Sequence, residues 1–451
     1  MSPRHPAAER PVSLPCRRAL TLFLAVAALL AAGCGSRLPE SDFERRGPSA
    51  PAAGPPVKVG IISSATSPVG GAAFTGPRDG ARAYFERLNR EGGVHGRKVE
   101  VVTCDDGGSG AGSNECVQRL LHREKVFALV AGASLDYAGA PQVAKAKVPD
   151  IGGQPIGPEY ETYPHLYGIY GSLAPREGGE PGWGGKLYGG TEVYRYFKRE
   201  QGARKAAVVS YNQSSSAAYA RLVVRGLKTE GYDVVSEQVD FALPNFRAVA
   251  ADLRSQKVDL VFDAMDTHGN AQLCESIDEA EVKLTAKVTN VQNWSSAVPD
   301  EYKNAPRCRN ALWATGSSRN YEDSSHPQVR AFRDEMGRQA KKDGKKKGGD
   351  EPALSQWQLE GWAAAMWFSD AAKSCGDRLT RPCVERFMES GKPYTARGLL
   401  LPAEFGHRAE PPGERRTCLS VARWRDGKGW RDQGGDMTDN CFTVPQLGYQ
   451  P

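Results

Sequence analysis

A rhythm of short apolar strands and amphipathic helices runs through the chain, stops and starts again, and it limits the possible folds more than any other feature. Val57 to Ser63 (VKVGIIS) is a β-branched run after a Pro-rich stretch, the pattern of a buried strand. In Gly76 to Asn89 the apolar positions Ala81, Tyr84, Phe85 and Leu88 fall on one helical face, and Gly92-Gly93 ends that helix. Residues 98–103, 114–122 and 126–131 read as strand, helix and strand. The series restarts with a strand at 206–210 and a helix at 217–230. A strand at 234–238, a helix at 246–256, a strand at 258–262, a helix at 271–280 and a strand at 286–291 follow. Strands and helices that alternate in this way bury both faces of a parallel sheet. Two such series in 451 residues imply an α/β fold of two doubly wound, Rossmann-like lobes.

The last third opens no third lobe. Ser355 to Ser374 is one strong helix, in which Trp362 and Trp367 read as core. A loop from Cys375 to Cys383 and a helix at 384–390 follow. Cys418 to Asp432 reads as two strands joined at Asp426-Gly427, a hairpin turn pair. The Lys-rich run from Lys341 to Gly349 reads as a solvated insertion.

The first 33 residues read as a targeting segment rather than part of the fold. Arg17-Arg18 precede an apolar run from Ala19 to Leu30, which is shorter than the roughly 20 residues of a spanning helix. Ala31-Ala32-Gly33-Cys34 then resembles the bacterial lipobox, whose Cys carries the lipid; Ala31 stands where Leu is usual. Residues 34–56, rich in Pro, Gly, Ser and charge, read as a flexible tether. The expected location is therefore the outer face of the cytoplasmic membrane, with the membrane held through lipid on Cys34.

Export alters the reading of the cysteines. Cys104, Cys116, Cys274, Cys308, Cys375, Cys383, Cys418 and Cys441 remain, an even number in an oxidising compartment. Proximity in sequence favours 104–116, 274–308, 375–383 and 418–441. The competing use is a metal site, but there is no C-x-x-C and no H-x-x-x-H, so no metal or cofactor is expected. The net charge is +6, and four Arg and one Glu leave with residues 1–33 to give about +3, too weak and scattered to suggest nucleic acid. G-x-S-x-G, G-x-x-x-x-G-K-[ST] and H-E-x-x-H are all missing, so no catalytic residues and no enzyme are expected.

Residues 57–71 (VKVGIISSATSPVGG) and 80–106 (GARAYFERLNREGGVHGRKVEVVTCDD) resemble the opening of the type I periplasmic binding proteins. Within these they are similar to the branched-chain amino-acid receptor group of ABC transporters. The matching positions are Leu88-Asn89, Gly92-Gly93-Val94, Gly96-Arg97 and Asp105-Asp106. VFALVAGAS (126–134) and NFRAVAADLRSQKVDLVF (245–262) keep the same order, and the resemblance extends over about residues 57–400. It implies a two-lobe clamp with three hinge crossings, near Ser172, Thr315 and Ala396. The lobes would be 57–172 and 173–315, with 316–396 returning to the first and 397–451, hairpin included, completing the second. The function implied is a solute-binding lipoprotein, monomeric, that captures a small polar solute (amino acid, amide, polyamine or sugar-like) and delivers it to an ABC permease. The alternative is a lipoprotein that senses a ligand and signals without transport.

Parallel sheets bind ligands beyond the carboxyl ends of their strands. Those loops are 63–71, 132–138, 152–155, 211–216, 264–269 and 292–295, rich in Gly, Ser, Asn and Gln. By the resemblance, Ser134 supplies a hydroxyl to a ligand carboxylate. Asp136 stands where a small hydroxyl residue is usual and would repel a carboxylate, unless it caps the following helix. Tyr137 is a candidate aromatic wall and Phe74 a cover, while Gly153 and Gln154 follow the fourth strand, with Gln154 pointing at the cleft. In the second lobe the candidates are Ser215, Tyr219, Asp266, Gln292 and Asn293, with Trp357 at the start of the returning helix.

Overall fold

In the computed structural model, which describes residues 54–342 and 353–451, Val57–Ser63 (β1) is buried along almost its whole length. Residues 1–33, Cys34 and the tether as far as residue 53 lie outside the described residues, as does most of the 341–349 loop. β1 pairs in parallel with Val99–Asp105 (β2) on one side and Ala128–Val130 (β3) on the other; Asp150–Gly153 (β4) and Leu166–Gly168 (β5) complete a five-stranded sheet. Leu187–Gly190 (β6) belongs to neither large sheet. The second sheet contains Lys205–Tyr211 (β7), Asp233–Val239 (β8), Leu260–Ala264 (β9), Ala286–Thr289 (β10) and Leu312–Gly316 (β11), all parallel.

The strand orders β2-β1-β3-β4-β5 and β8-β7-β9-β10-β11 are the same order, second-first-third-fourth-fifth. Each sheet thus reverses direction beside its first strand, between β1 and β3 and between β7 and β9, and a crevice opens at such a switch point. The two series legible in the sequence are one topology used twice, a two-lobe type I periplasmic binding fold.

Gly71–Arg90 (α1) packs on β1 through Ala81, Tyr84, Phe85 and Leu88. It begins five residues before its apolar spacing indicates, because Gly71, Ala72 and Ala73 carry no large side chain to mark a face. Gly93 ends it at φ +73, where its N–H bonds the Leu88 carbonyl, and a β-carbon there would lie 2.1 Å from the Arg97 oxygen. Gly110–Gln118 (α2) starts four residues earlier than its spacing suggests, capped by Ser109, whose Oγ accepts the Gly112 N–H. Ala140–Lys145 (α3) and Glu192–Glu200 (α4) are short. Ser214–Thr229 (α5), Phe246–Ser255 (α6) and Thr267–Glu279 (α7) flank the second sheet.

After β11 the chain returns to the first lobe. Pro327–Lys342 (α8) leads to Gln356–Ser374 (α9), which lies against both α1 and β4. Sixteen of its nineteen residues are buried, Trp362 and Trp367 among them, together with the polar side chains of Gln356, Glu360 and Ser369. A capping box between Ser355 and Gln358 fixes its start. Arg381–Met388 (α10) follows. The chain then crosses back to Arg415–Cys418 (β12) and the hairpin Ser420–Arg425 (β13) and Gly429–Asp432 (β14), whose first strand pairs antiparallel with β11. Cys441–Val444 (β15) pairs with β12, and Gln446–Tyr449 (β16) with β6.

The three passages between sheets run side by side. Ser172 bridges Phe405, and Ser318 bridges Leu400. Ala396 and Arg397 both sit at positive φ (45° and 56°) in the third passage, a conformation that L side chains avoid. Disulfides join Cys104–Cys116, Cys274–Cys308, Cys375–Cys383 and Cys418–Cys441. No helix among the described residues is long and apolar enough to cross a membrane.

Candidate functional site

A cavity of about 350 Å³ opens between the lobes at the carboxyl ends of both sets of strands. The two switch points converge there. Val69 and Leu135 come from the loops after β1 and β3, and Tyr211, Met265 and Asp266 from the ends of β7 and β9. Each of the six loops that follow the sequence-predicted strands contributes at least one lining residue. Two other concavities, of about 830 and 630 Å³, are lined by the second lobe alone, so closure of one lobe on the other would not enclose them.

Aromatic rings and aliphatic groups make up most of the wall. Phe74 and Trp357 meet edge to face, with ring centroids 5.5 Å apart, and Val291 of the second lobe packs against them. Tyr170, Tyr211 and Tyr219 add three phenol rings. Tyr219 and Ile156 are among the few large apolar side chains left exposed, both on this cavity. Gln292 reaches across from the second lobe, and its Nε2 would lie 2.5 Å from a β-carbon on Gly70.

Beneath the wall, two buried carboxyl groups organise the first lobe. Asp106 accepts hydrogen bonds from the hydroxyls of Ser64 (2.7 Å) and Ser134 (2.5 Å) and from the Gly108 N–H (2.8 Å). Glu360, fully buried on α9, accepts from Gln154 Nε2 (2.9 Å), the Tyr170 hydroxyl (3.0 Å) and Ser318 Oγ (2.6 Å). Burial pushes its carboxyl up to about 7 despite these donors. In the second lobe, Asp266 caps α7: its Oδ1 accepts the Gly269 N–H (2.9 Å) and the Tyr211 hydroxyl (3.1 Å).

Of the residues singled out in the sequence, Phe74, Gln154, Tyr219, Asp266, Gln292 and Trp357 line the cavity. Ser134, Asp136, Tyr137, Gly153 and Asn293 stand elsewhere. The Ser134 hydroxyl is turned inward to Asp106, and Leu135 beside it faces the cavity instead. Asp136 is exposed and lies beside Gly110 at the start of α2; it does not cap α3, whose N-cap is Gly139. Tyr137 is buried, its hydroxyl donating to Asp150 at 2.7 Å. Gly153 packs inside the lobe, where a β-carbon would collide with the Tyr160 hydroxyl. Asn293 is buried, bonded to Thr289, Asn290 and Thr267. Ser215 lies in the first turn of α5, next to Ser216, which does line the cavity. Tyr170 and Tyr211 were not singled out, although Tyr211 ends an apolar strand at the loop where a wall residue belongs.

Among the described residues no cluster of three or more His, Cys, Asp or Glu side chains could hold a metal ion. A family model for periplasmic binding proteins matches residues 56–429. A comparison with curated proteins finds no match. Solved structures share the fold at low identity. An ABC transporter substrate-binding protein from Aeropyrum pernix is 12% identical over 88% of this chain and 97% of that one, with a TM-score of 0.65. The branched-chain amino acid transporter substrate-binding protein from Streptococcus pneumoniae, solved with isoleucine, is 14% identical over 84% and 100%, with a TM-score of 0.61. An ABC transporter solute-binding protein from R. palustris, solved with benzoate, is 14% identical over 87% and 97%, with a TM-score of 0.61. The matched family is one of extracytoplasmic solute-binding proteins, not enzymes. With the match spanning most of its length and both lobes in the expected topology, the chain belongs to the periplasmic binding protein family.

Proposed function

We propose that this protein is exported, lipid-anchored at Cys34, and closes its lobes on a small solute that it delivers to an ABC permease. The lobes are 57–172 with 316–396 and 173–315 with 397–451, turning about passages near Ser172, Thr315 and Ala396. One observation carries the reading: a single cavity is walled by the carboxyl-end loops of both sheets. Phe74, Gln154, Tyr219, Asp266, Gln292 and Trp357 are the residues that would touch the solute. The named relatives add support, since one was solved with isoleucine and another with benzoate, both small enough for such a cleft.

Binding is tested by thermal shift of the purified protein against amino acids, amides, sugars, polyamines and aromatic acids. A ligand at 100 times its dissociation constant adds about 2.7 kcal/mol to stability. If no member of the panel moves the melting temperature, solute capture is wrong. Anchoring is read by mass spectrometry of the membrane-extracted protein: a lipid adduct on Cys34 that vanishes in Cys34→Ala. Uptake of the identified solute separates transport from sensing, because a sensor can be deleted without loss of uptake.

A further inference from the structure

Several polar groups on the cavity wall are already engaged. The Gln154 amide and Tyr170 hydroxyl donate to Glu360, and the Tyr211 hydroxyl donates to Asp266. Ser216 Oγ donates to the Ala264 carbonyl. A hydroxyl has one proton to give. In the first lobe, Ser64 and Ser134 spend theirs on Asp106, leaving neither for a ligand carboxylate. Among the described residues the lining includes no Lys, Arg or His. No cationic side chain in the described lining would neutralise an anionic ligand.

The opposite charge is available. Asp266 is the one ionisable acid or base of the Asp, Glu, Lys, Arg and His types in the lining. Its Oδ1 is held by Tyr211 and Gly269, whereas its Oδ2 has no partner among the described residues. Closing the lobes would strip water from that oxygen, which is unfavourable unless the ligand brings a positive charge. The rings of Phe74, Trp357, Tyr170, Tyr211 and Tyr219 line the cavity, and aromatic rings can attract a cation over a face as well as cover an apolar body. At about 350 Å³ the cavity lies near the small end of the roughly 300–1,000 Å³ range of small-molecule sites.

Building on the solute-binding reading above, we infer that the solute is a carboxylate-free monocationic amine with an apolar aryl or alkyl body, its ammonium on Asp266 and its body among the rings. This departs from an amino-acid ligand, whose carboxylate would meet no cationic side chain in the described lining and would face Asp106 behind Ser134.

The test uses two triads of one body in three charge states: phenethylamine, phenylalanine and 3-phenylpropanoate; 3-methylbutylamine, leucine and 4-methylpentanoate. Calorimetry on the purified protein should show at least one amine binding about tenfold or more tighter than its amino acid, with no heat from the carboxylate. Asp266→Asn keeps an oxygen for the α7 cap, so its unliganded melting temperature should hold while amine affinity falls about tenfold or more. An amino acid or carboxylate that binds as tightly as its amine overturns the inference and leaves solute capture standing. So does a sugar or amide that binds when neither amine does, or an Asp266→Asn protein with undiminished amine affinity. Silence from the triads and from the wider panel overturns solute capture itself, and this inference with it.

Discussion

Ser318 Oγ donates to Glu360 Oε1 at 2.6 Å, and so ties a passage between the lobes to α9, the helix that carries Trp357 on the cavity wall. The same carboxyl holds Gln154 and Tyr170, and Gln356 Nε2 donates to Ser318 Oγ at 2.7 Å. Glu360 is therefore shared between the hinge and the ligand site. Its carboxyl titrates at about 7 in the folded chain against an ordinary value of 4.5, because burial disfavours the charge. Between these values the folded state holds more protons than the unfolded one, so stability falls as pH rises through the window. The full effect is on the order of 3 kcal/mol. Asp150, pushed up to about 6 by burial, slopes the same way, so the informative quantity is a difference. Urea unfolding of wild type and Glu360→Gln at pH 5 and pH 8 should show the variant gaining on wild type at pH 8. Parallel pH profiles for the two would refute a neutral Glu360.

The contact of α1 with α9 depends on two residues without side chains. A β-carbon on Gly80 would stand 1.8 Å from the Gln358 carbonyl oxygen, and one on Gly361 2.0 Å from the Pro77 oxygen. Backbone is on the far side in both cases, so the helices must part. Gly80→Ala and Gly361→Ala should each lose about 2–3 kcal/mol, measured by chemical denaturation. Gly337, exposed on α8 with nothing within 4 Å, provides the contrast: the same substitution there should add about 1 kcal/mol through helix propensity alone. Equal effects at 80 and 337 would show that the α1–α9 contact has room to spare.

Periodicity made the lobes legible and left the site half-read. Strands such as VKVGIIS and VDLVF declare themselves, since both faces are buried and most of each segment is apolar. β6, β12, β15 and β16 do not, because their residues are at most partly buried apart from Val444, and pairing at a surface leaves no apolar run. In the cleft, strand ends identified the right loops but not the side chain within each. The 132–138 loop illustrates why: Asp106, 28 residues before Ser134, draws that hydroxyl inward and leaves Leu135 facing the cavity. A contact so distant in sequence has no local signal. Tyr170 was hidden for a related reason, since it follows a strand of only three residues.

The disulfides should differ in worth according to the loop each closes. Cys274–Cys308 spans 34 residues, which on the chain-entropy model is about 4 kcal/mol, whereas Cys375–Cys383 spans 8 and gives about 2.5 kcal/mol. Cys274 and Cys308 are also buried, so Ala at both positions removes packing as well. Cys274→Ala/Cys308→Ala is expected to unfold at lower urea than Cys375→Ala/Cys383→Ala. The reverse order would mean that loop closure does not govern the stability of this protein.

Lys287 interrupts the apolar strand β10, yet it is fully buried, and its Nζ donates to Asp263 Oδ2 and to Asn270 Oδ1 (2.7 Å). Asn270 Nδ2 closes the triangle by donating to Asp263 Oδ1 at 2.7 Å. The three residues join β9, β10 and α7 at one point inside the second lobe. Two charges removed from water gain little net stability from each other, but each is costly without the other. Lys287→Met alone strands the Asp263 carboxylate and should cost about 3–5 kcal/mol, as should Asp263→Leu, which strands the ammonium. The double variant, with no buried charge left, should recover part of that loss, because Met replaces the aliphatic stem of Lys287 and Leu fills the place of Asp263, while Asn270 Oδ1 is left without its donor. Asn270 then keeps its Nδ2 bonds to the Met265 and Asp266 carbonyls and still fixes the start of α7. Circular dichroism melts of the four proteins form a double-mutant cycle. Additive losses would mean that water reaches the pair, and that the second lobe is looser around β10 than its packing indicates.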